Sequence, residues 1–236
     1  MEQLKSLADL LDLHDIDLAI DRLLDERSSL PELEQYKVAH GEVERIAAAL
    51  KDAEDASKAA SQALSKTNGE LEIMAERAAS EQNRLYAGGL SARDADYLRR
   101  EVEMLYKKVS TMEDDVLRFM EEKDSSDARV VELTSTLADA TKLKDELAAS
   151  IQDQWRVIDK QIAAKEERKA AAASLVDEYY MEIYDGLREG KTGRVVGRLT
   201  DGICGSCHLQ LSAAEVARVS KDDPPRCIHC RSILVV

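Results

Sequence analysis

From Leu98 onward, apolar side chains recur at alternating steps of four and three: Leu98, Val102, Leu105, Val109, Met112, Val116 and Phe119. The series slips at Lys123 and Ser126. It resumes at Val130, Leu133, Leu137 and Ala140 and continues through Leu147, Ile151 and Ile158. A period of about 3.5 residues held over this many heptads is a coiled-coil seam. Polar residues at the slip mark a weak point in it, since a polar seam position sacrifices stability for register. A second seam lies upstream: Val43, Ile46, Leu50, Ala53, Ser57, Ala60, Leu64, Thr67, Leu71, Met74, Ala78 and Leu85. It is richer in alanine, so the two helices are expected to approach closely.

Between the seams lies Leu85-Tyr86-Ala87-Gly88-Gly89-Leu90-Ser91. Paired glycines adopt the left-handed dihedrals that end a helix, and Ser91 can cap the next one. The hairpin tip is therefore predicted at about residues 86–91. An earlier helix carries Leu4, Leu7, Leu11, Ile16, Leu18, Ile20, Leu23 and Leu24 and is broken by Ser28-Ser29-Leu30-Pro31. Proline fits the first turn of a helix and not its interior. The pattern thus predicts three helices, at about 3–27, 31–86 and 92–184, forming an antiparallel coiled-coil hairpin over residues 1–185. Pairing about the tip makes facing residue numbers sum to roughly 178. Trp155 should then face Leu23 and Leu24, and Tyr179, Tyr180 and Tyr184 should lie near Leu4 and Leu7.

After Gly186 the pattern changes to short alternating runs. Arg194–Leu199 reads as a strand, Thr200-Asp201-Gly202 as its turn, Cys207–Leu211 as a second strand and Ser232–Val236 as a third. Ser212-Ala213-Ala214-Glu215 is a capping box, so a helix is expected at about 213–219. About fifty residues bury little apolar surface, so a domain at 186–236 needs a further source of stability.

That source lies in the cysteines. All four fall in this segment, as Cys204-Gly205-Ser206-Cys207 and Cys227-Ile228-His229-Cys230. The C-x2-C-x19-C-x2-C spacing presents four thiolates to one tetrahedral ion, usually Zn²⁺, in a structural ribbon. A redox C-x-x-C would need a thioredoxin-like βαβ context, which the flanks do not show. Met1-Glu2-Gln3-Leu4 does not read as the start of a secretory leader, so a cytoplasmic location is expected and, with it, reduced thiols rather than disulfides. Tetrahedral sulfur suits iron as well as zinc. Four sulfurs close the coordination sphere, so the ion is expected to hold the fold and not to perform chemistry.

Charge divides the chain. The net formal charge is -14. From Gly186 onward eight basic residues (Arg188, Lys191, Arg194, Arg198, Arg218, Lys221, Arg226, Arg231) outnumber five acidic ones, leaving -17 on residues 1–185. Only 4% of residues are aromatic, as in long helical proteins that bury a narrow seam. No run approaches the eighteen apolar residues of a membrane span.

Taken together, the helical hairpin, Val195-Val196, Asp201-Gly202-Ile203-Cys204-Gly205-Ser206-Cys207-His208 and Cys227-Ile228-His229-Cys230-Arg231-Ser232-Ile233-Leu234 resemble the bacterial coiled-coil plus four-cysteine zinc-ribbon family. Its members are often described as predicted nucleic-acid-binding proteins. Leu85-Tyr86-Ala87-Gly88 resembles the family's Leu-Tyr-x-Gly tip. The resemblance implies zinc on the four cysteines and action through partners, which in some relatives are an alternative sigma factor, secretion or flagellar components, or messenger RNA. The second knuckle departs from the family pattern, with Ile228 where a proline follows the first cysteine and Arg231 where a glycine follows the second.

Three function classes follow. A protein–protein adaptor would dock partners through the tip, where Tyr86, Leu90, Arg93 and Tyr97 cluster, or through the ribbon. A nucleic-acid-binding protein would use the eight basic residues of the tail, with salt-dependent affinity. No Phe, Tyr or Trp follows Tyr184, so no aromatic platform for base stacking is expected there. An enzyme is not expected, for want of a phosphate loop or a recognisable catalytic motif. His14 and His40 read as solvated helix residues, and His208 and His229 flank the knuckles. The reading is a non-catalytic, zinc-binding adaptor, monomeric or homodimeric, with nucleic-acid contact as the alternative.

Overall fold

In a computed structural model, the backbone is described for residues 2–236 and the side chains from Leu7 onward. The protein is mainly helical, with a small C-terminal sheet. Helix α1 spans Glu2–Ser28, α2 Pro31–Tyr86, α3 Ala92–Ala173, α4 Glu178–Gly190 and α5 Ala213–Val219. The strands are β1 (Val196–Thr200), β2 (Ile203–Cys204) and β3 (Ile233–Val235). The chain divides into two compact units, residues 35–147 and residues 1–34 with 148–236.

The first unit holds the hairpin turn. Gly88 and Gly89 take φ of 81° and 85°, and the Asp94 N–H donates to Ser91 Oγ at 3.3 Å, which caps α3. The seam is as the heptads predict: Ala78 is fully buried against Leu105 and Val109, with Leu71, Met74 and Ala75 alongside. Arg77 pairs with Glu101 at 3.4 Å, and these numbers sum to the predicted 178. At the slip, Asp127 accepts from Lys123 and from Ser57, so a polar network replaces apolar packing.

In the second unit, Leu23, Leu30 and Ile158 form a buried cluster with Leu33, Trp155 and Ile162 around it. The Trp155 indole N–H donates to the Arg27 carbonyl at 3.0 Å. Trp155 thus meets the Leu23 region, as the pairing about the tip requires.

The predicted third helix at 92–184 is corrected: it is two helices. The chain leaves helical geometry after Ala173, and Val176 turns into the core. Asp177 then takes extended dihedrals and accepts the Tyr179 N–H at 2.9 Å, capping α4. A fourth helix is thereby redirected so that Tyr180 and Tyr184 are buried against Leu7, Leu10, Leu11 and Leu13 of α1. Tyr179 remains half-exposed. Leu4, the other expected neighbour, lies outside the described side chains.

The strands follow in the order β2-β1-β3. β1 pairs antiparallel with β2 and parallel with β3. Asp201 and Gly202, at φ of 51° and 76°, make the tight β1–β2 turn that Asp-Gly favours. The second predicted strand, Cys207–Leu211, is corrected to β2 at Ile203–Cys204. His208 has φ of 60°, which interrupts extended backbone, and only a single bridge joins Gln210 to Ile203. Helix α5 has the predicted Ser212–Glu215 capping box.

β3 alternates between two cores. Ile233 and Val235 face the cluster of Leu7, Leu10, Leu13, Tyr180 and Tyr184. Leu234 faces the opposite way, into a cluster with Cys204, Cys227, Leu211 and Val219. Burying each such side chain contributes roughly 1.5–3 kcal/mol. The sheet therefore lies between the helical base and the cysteines.

Candidate metal centre

Each cysteine pair sits on a tight turn. The first begins at the last residue of β2, and β1 closes over it. Gly205 donates its N–H to the Arg198 carbonyl at 2.9 Å. A Cβ on Gly205 would lie 2.7 Å from the Arg198 carbonyl oxygen, and one on Gly197 would lie 2.7 Å from the Ser206 nitrogen. Glycine at both positions lets the strand and the knuckle touch. In the second pair, Cys227 donates its N–H to the Ser232 carbonyl at 2.9 Å, so the chain returns directly into β3.

These turns bring all four sulfurs within 4.8 Å of one another. Cys204 Sγ lies 3.8 Å from Cys230 Sγ, and Cys207 Sγ lies 3.8 Å from Cys227 Sγ. A tetrahedral ion with bonds of about 2.3 Å would set sulfurs about 3.8 Å apart. A disulfide would need about 2.05 Å, and all four cysteines are free. The residues present therefore fit a single metal ion held by Cys204, Cys207, Cys227 and Cys230. Cys204 and Cys227 are buried. Burial pushes the Cys204 thiol up to about 12, so as a free thiol it keeps its proton, and a metal must displace that proton to bind.

Behind the sulfurs is a polar network that the motif reading passed over. Ser232 is fully buried. Its Oγ lies 2.8 Å from Ser206 Oγ, and the Lys191 ammonium donates to it at 2.6 Å. Ser206 donates to the Arg194 carbonyl at 2.6 Å.

The eight basic residues are differently placed. Arg188 grips Asp21 of α1 with two hydrogen bonds, at 2.7 and 3.0 Å. That bond holds the Asp21 carboxyl below the usual carboxylate range. Arg194 pairs with Asp15 at 2.9 Å. Lys191 is taken up by Ser232 and by the Cys230 carbonyl. Arg198, Arg218, Lys221 and Arg231 are exposed, and Arg226 is half-buried. At the tip, Tyr86 is 78% and Tyr97 73% exposed. Arg93 is also exposed and Leu90 half-buried.

His14 is corrected from a solvated helix residue to a buried one. The Val195 N–H donates to its Nε2 at 3.2 Å, and its Nδ1 meets the Tyr184 hydroxyl at 3.2 Å. That hydroxyl donates to Asp17 at 2.6 Å, so the histidine N–H must donate to the phenol oxygen. Lys169 completes the network at Asp17, 2.7 Å away. Burial first, then the nearby Arg194 and Arg188, hold His14 down at about 4. Burial and Asp17 raise Tyr184 well above its ordinary value. The signal for this network was present: Leu10, Leu13, His14 and Asp17 share one helical face at spacings of three and four.

A sequence model of the CT398-like coiled coil hairpin domain matches residues 13–192. The chain belongs to that family. Two uncharacterized proteins of Mycobacterium tuberculosis, from two strains, are each 26% identical over 96% of this chain and 93% of their own length. A solved structure from Mycobacterium smegmatis superposes with a TM-score of 0.81 at 19% identity, covering 98% of this chain and 97% of that one. CT398 from Chlamydia trachomatis superposes with a TM-score of 0.78 at 17% identity, covering 97% and 96%. At such identities the likeness concerns the fold. Among the described residues, no helix is long and apolar enough to cross a membrane.

Proposed function

We propose that this member of the CT398-like family is a non-catalytic adaptor that a zinc ion stabilises and that docks protein partners through its hairpin tip. The observation that carries this reading is the exposure of Tyr86 and Tyr97 beside the turn. A tyrosine that closed the hairpin would be covered, as Ala78 and Leu105 are further along the seam. Two aromatic rings in water next to Leu90 and Arg93 are the residue types that anchor protein interfaces. Zinc is the ion that a compact set of four sulfurs most commonly takes, and four sulfur ligands leave no position for a reacting water.

Nucleic-acid contact is the second reading, favoured by the exposed Arg198, Arg218, Lys221 and Arg231. Its weight is reduced because Arg188, Lys191 and Arg194 already bond within the protein.

The test is affinity purification with nuclease treatment, comparing wild type with a Tyr86→Ala, Leu90→Ala, Arg93→Ala triple variant. Proteins that survive nuclease and are lost in the triple variant support tip docking. Recovery unchanged by the substitutions removes the tip. Labelled RNA and DNA in anisotropy titrations across salt decide the second reading, and no binding at low salt ends it.

A further inference from the structure

We propose that Lys191 is a positioning residue for the cysteine cluster: from the C-terminal end of α4 it fixes Ser232 behind Cys230, offsets thiolate charge, and thereby sets how long the metal stays bound. The inference rests on the metal-binding reading above and assigns a role to a residue outside the four-cysteine motif.

Lys191 is the C-cap of α4, in extended conformation. Its ammonium, half-buried, donates to Ser232 Oγ at 2.6 Å and to the Cys230 carbonyl at 3.3 Å. Arg188 and Arg194, which flank it in sequence, turn instead to aspartates of α1. An ammonium has donors only, so Ser232 Oγ must accept from it. The Ser232 proton is then left to donate. It goes to the Arg194 carbonyl, 3.2 Å away, which also takes the Ser206 hydroxyl at 2.6 Å. Cys230 Sγ lies 3.4 Å from Ser232 Oγ and, as a thiol, donates to it; once a metal displaces that proton, the thiolate becomes a charged acceptor within reach of the same hydroxyl. Lys191 thus fixes a hydroxyl group beside a ligand sulfur.

Charge acts in the same direction. Four thiolates around a divalent ion carry a net charge of -2, in a cluster that also buries Leu211, Val219 and Leu234. A partly buried cation within hydrogen-bond reach of the second knuckle offsets some of it more effectively than a solvated one. Groups that hydrogen-bond to metal ligands typically affect metal affinity by about 10–100-fold.

Full-length protein loaded with Zn²⁺ would be challenged with excess chromogenic chelator, and release followed for wild type, Lys191→Met, Lys191→Arg and Lys221→Met. Lys191→Met keeps the aliphatic stem and is expected to release metal about ten-fold faster or more. Lys191→Arg should regain most of the retention, and Lys221→Met should match wild type. With Co²⁺ at full occupancy, the thiolate-to-metal charge-transfer band should shift in Lys191→Met and not in Lys221→Met, an effect that mere loss of packing would not cause. In a Ser232→Ala background, Lys191→Met should accelerate release less than in wild type, leaving only the contribution of its charge and of the Cys230 carbonyl contact. A wild-type release rate with an unshifted band in Lys191→Met overturns the inference, as does equal acceleration in Lys221→Met. Wild-type protein that takes no metal removes both this inference and its parent reading; metal bound normally but released unchanged in Lys191→Met removes this one alone.

Discussion

His208 and Arg231 hold equivalent places in the two knuckles. Each follows the second cysteine of its pair, with φ of 60° and 61°. Each donates its N–H to the carbonyl of the first cysteine, at 2.9 Å in both cases. The second knuckle therefore has the same turn as the first, although Ile228 and Arg231 stand where the first has Gly205 and His208. A residue with a Cβ in this region costs roughly 1 kcal/mol. Arg231→Gly should stabilise the ribbon by about 0.5–1 kcal/mol, part of the gain being offset by greater freedom in the unfolded chain. Hydrogen exchange at residues 227–234 measures it, and exchange that speeds up would contradict the strain argument.

The His14 network makes stability depend on pH. In the folded protein His14 titrates at about 4, against an ordinary value of 6.5. Between those values the unfolded chain binds a proton that the folded chain refuses. The contribution is therefore complete above pH 6.5 and is lost as pH falls toward 4, on the order of 3 kcal/mol in all. Denaturant midpoints should decline across this window in wild type. His14→Gln, which can still accept from Val195, should be less stable at pH 7 and show a flatter profile. Asp21, held low by Arg188, loses its contribution only at more acidic pH, so the two effects separate.

Metal removal should disturb more than the ribbon. β3 presents Leu234 to the cysteine cluster and Ile233 and Val235 to the helical base. Loss of the ion should free the strand and uncover Leu7, Leu10 and Leu13. Chelation under reducing conditions is expected to raise binding of a hydrophobic dye and to alter the near-ultraviolet signal of Tyr180 and Tyr184. The far-ultraviolet helical signal should fall only slightly, because the 35–147 unit has its own seam. A complete helical collapse would show that the metal governs both units.

Trp155 is the only tryptophan, and the Arg27 guanidinium lies 4.6 Å from the centre of its ring. Arg27 also pairs with Asp159 at 2.9 Å, in an exposed setting where such pairs are weak. Arg27→Ala should cost about 0.5–1 kcal/mol, chiefly through the ring contact. Fluorescence-monitored unfolding provides the measurement. A matching loss in Asp159→Ala would shift the credit to the ion pair.

The heptads, the Gly88-Gly89 turn, the Ser212–Glu215 cap and the cysteine spacing were legible because each rests on local periodicity or on fixed spacing. The break before α4 was not. Asp177 looks like one more surface acid, and its capping role depends on Val176 finding a core that no local pattern displays. For His14 the shared face with Leu10 and Leu13 signals burial, but its partners lie 170 and 181 residues away and no local pattern points to them. The basic tail misled through counting. Arg188 and Arg194 match Asp21 and Asp15, but a sum of charges does not show that they meet.

Those two ion pairs bear on how fragments should be interpreted. A shortened protein lacking α1 would bare Arg188 and Arg194 to solvent and strip the cover from Val195. Polyanions would then meet two more unpaired guanidinium groups than the intact molecule offers, so affinity measured on the excised piece would overstate that of the whole chain.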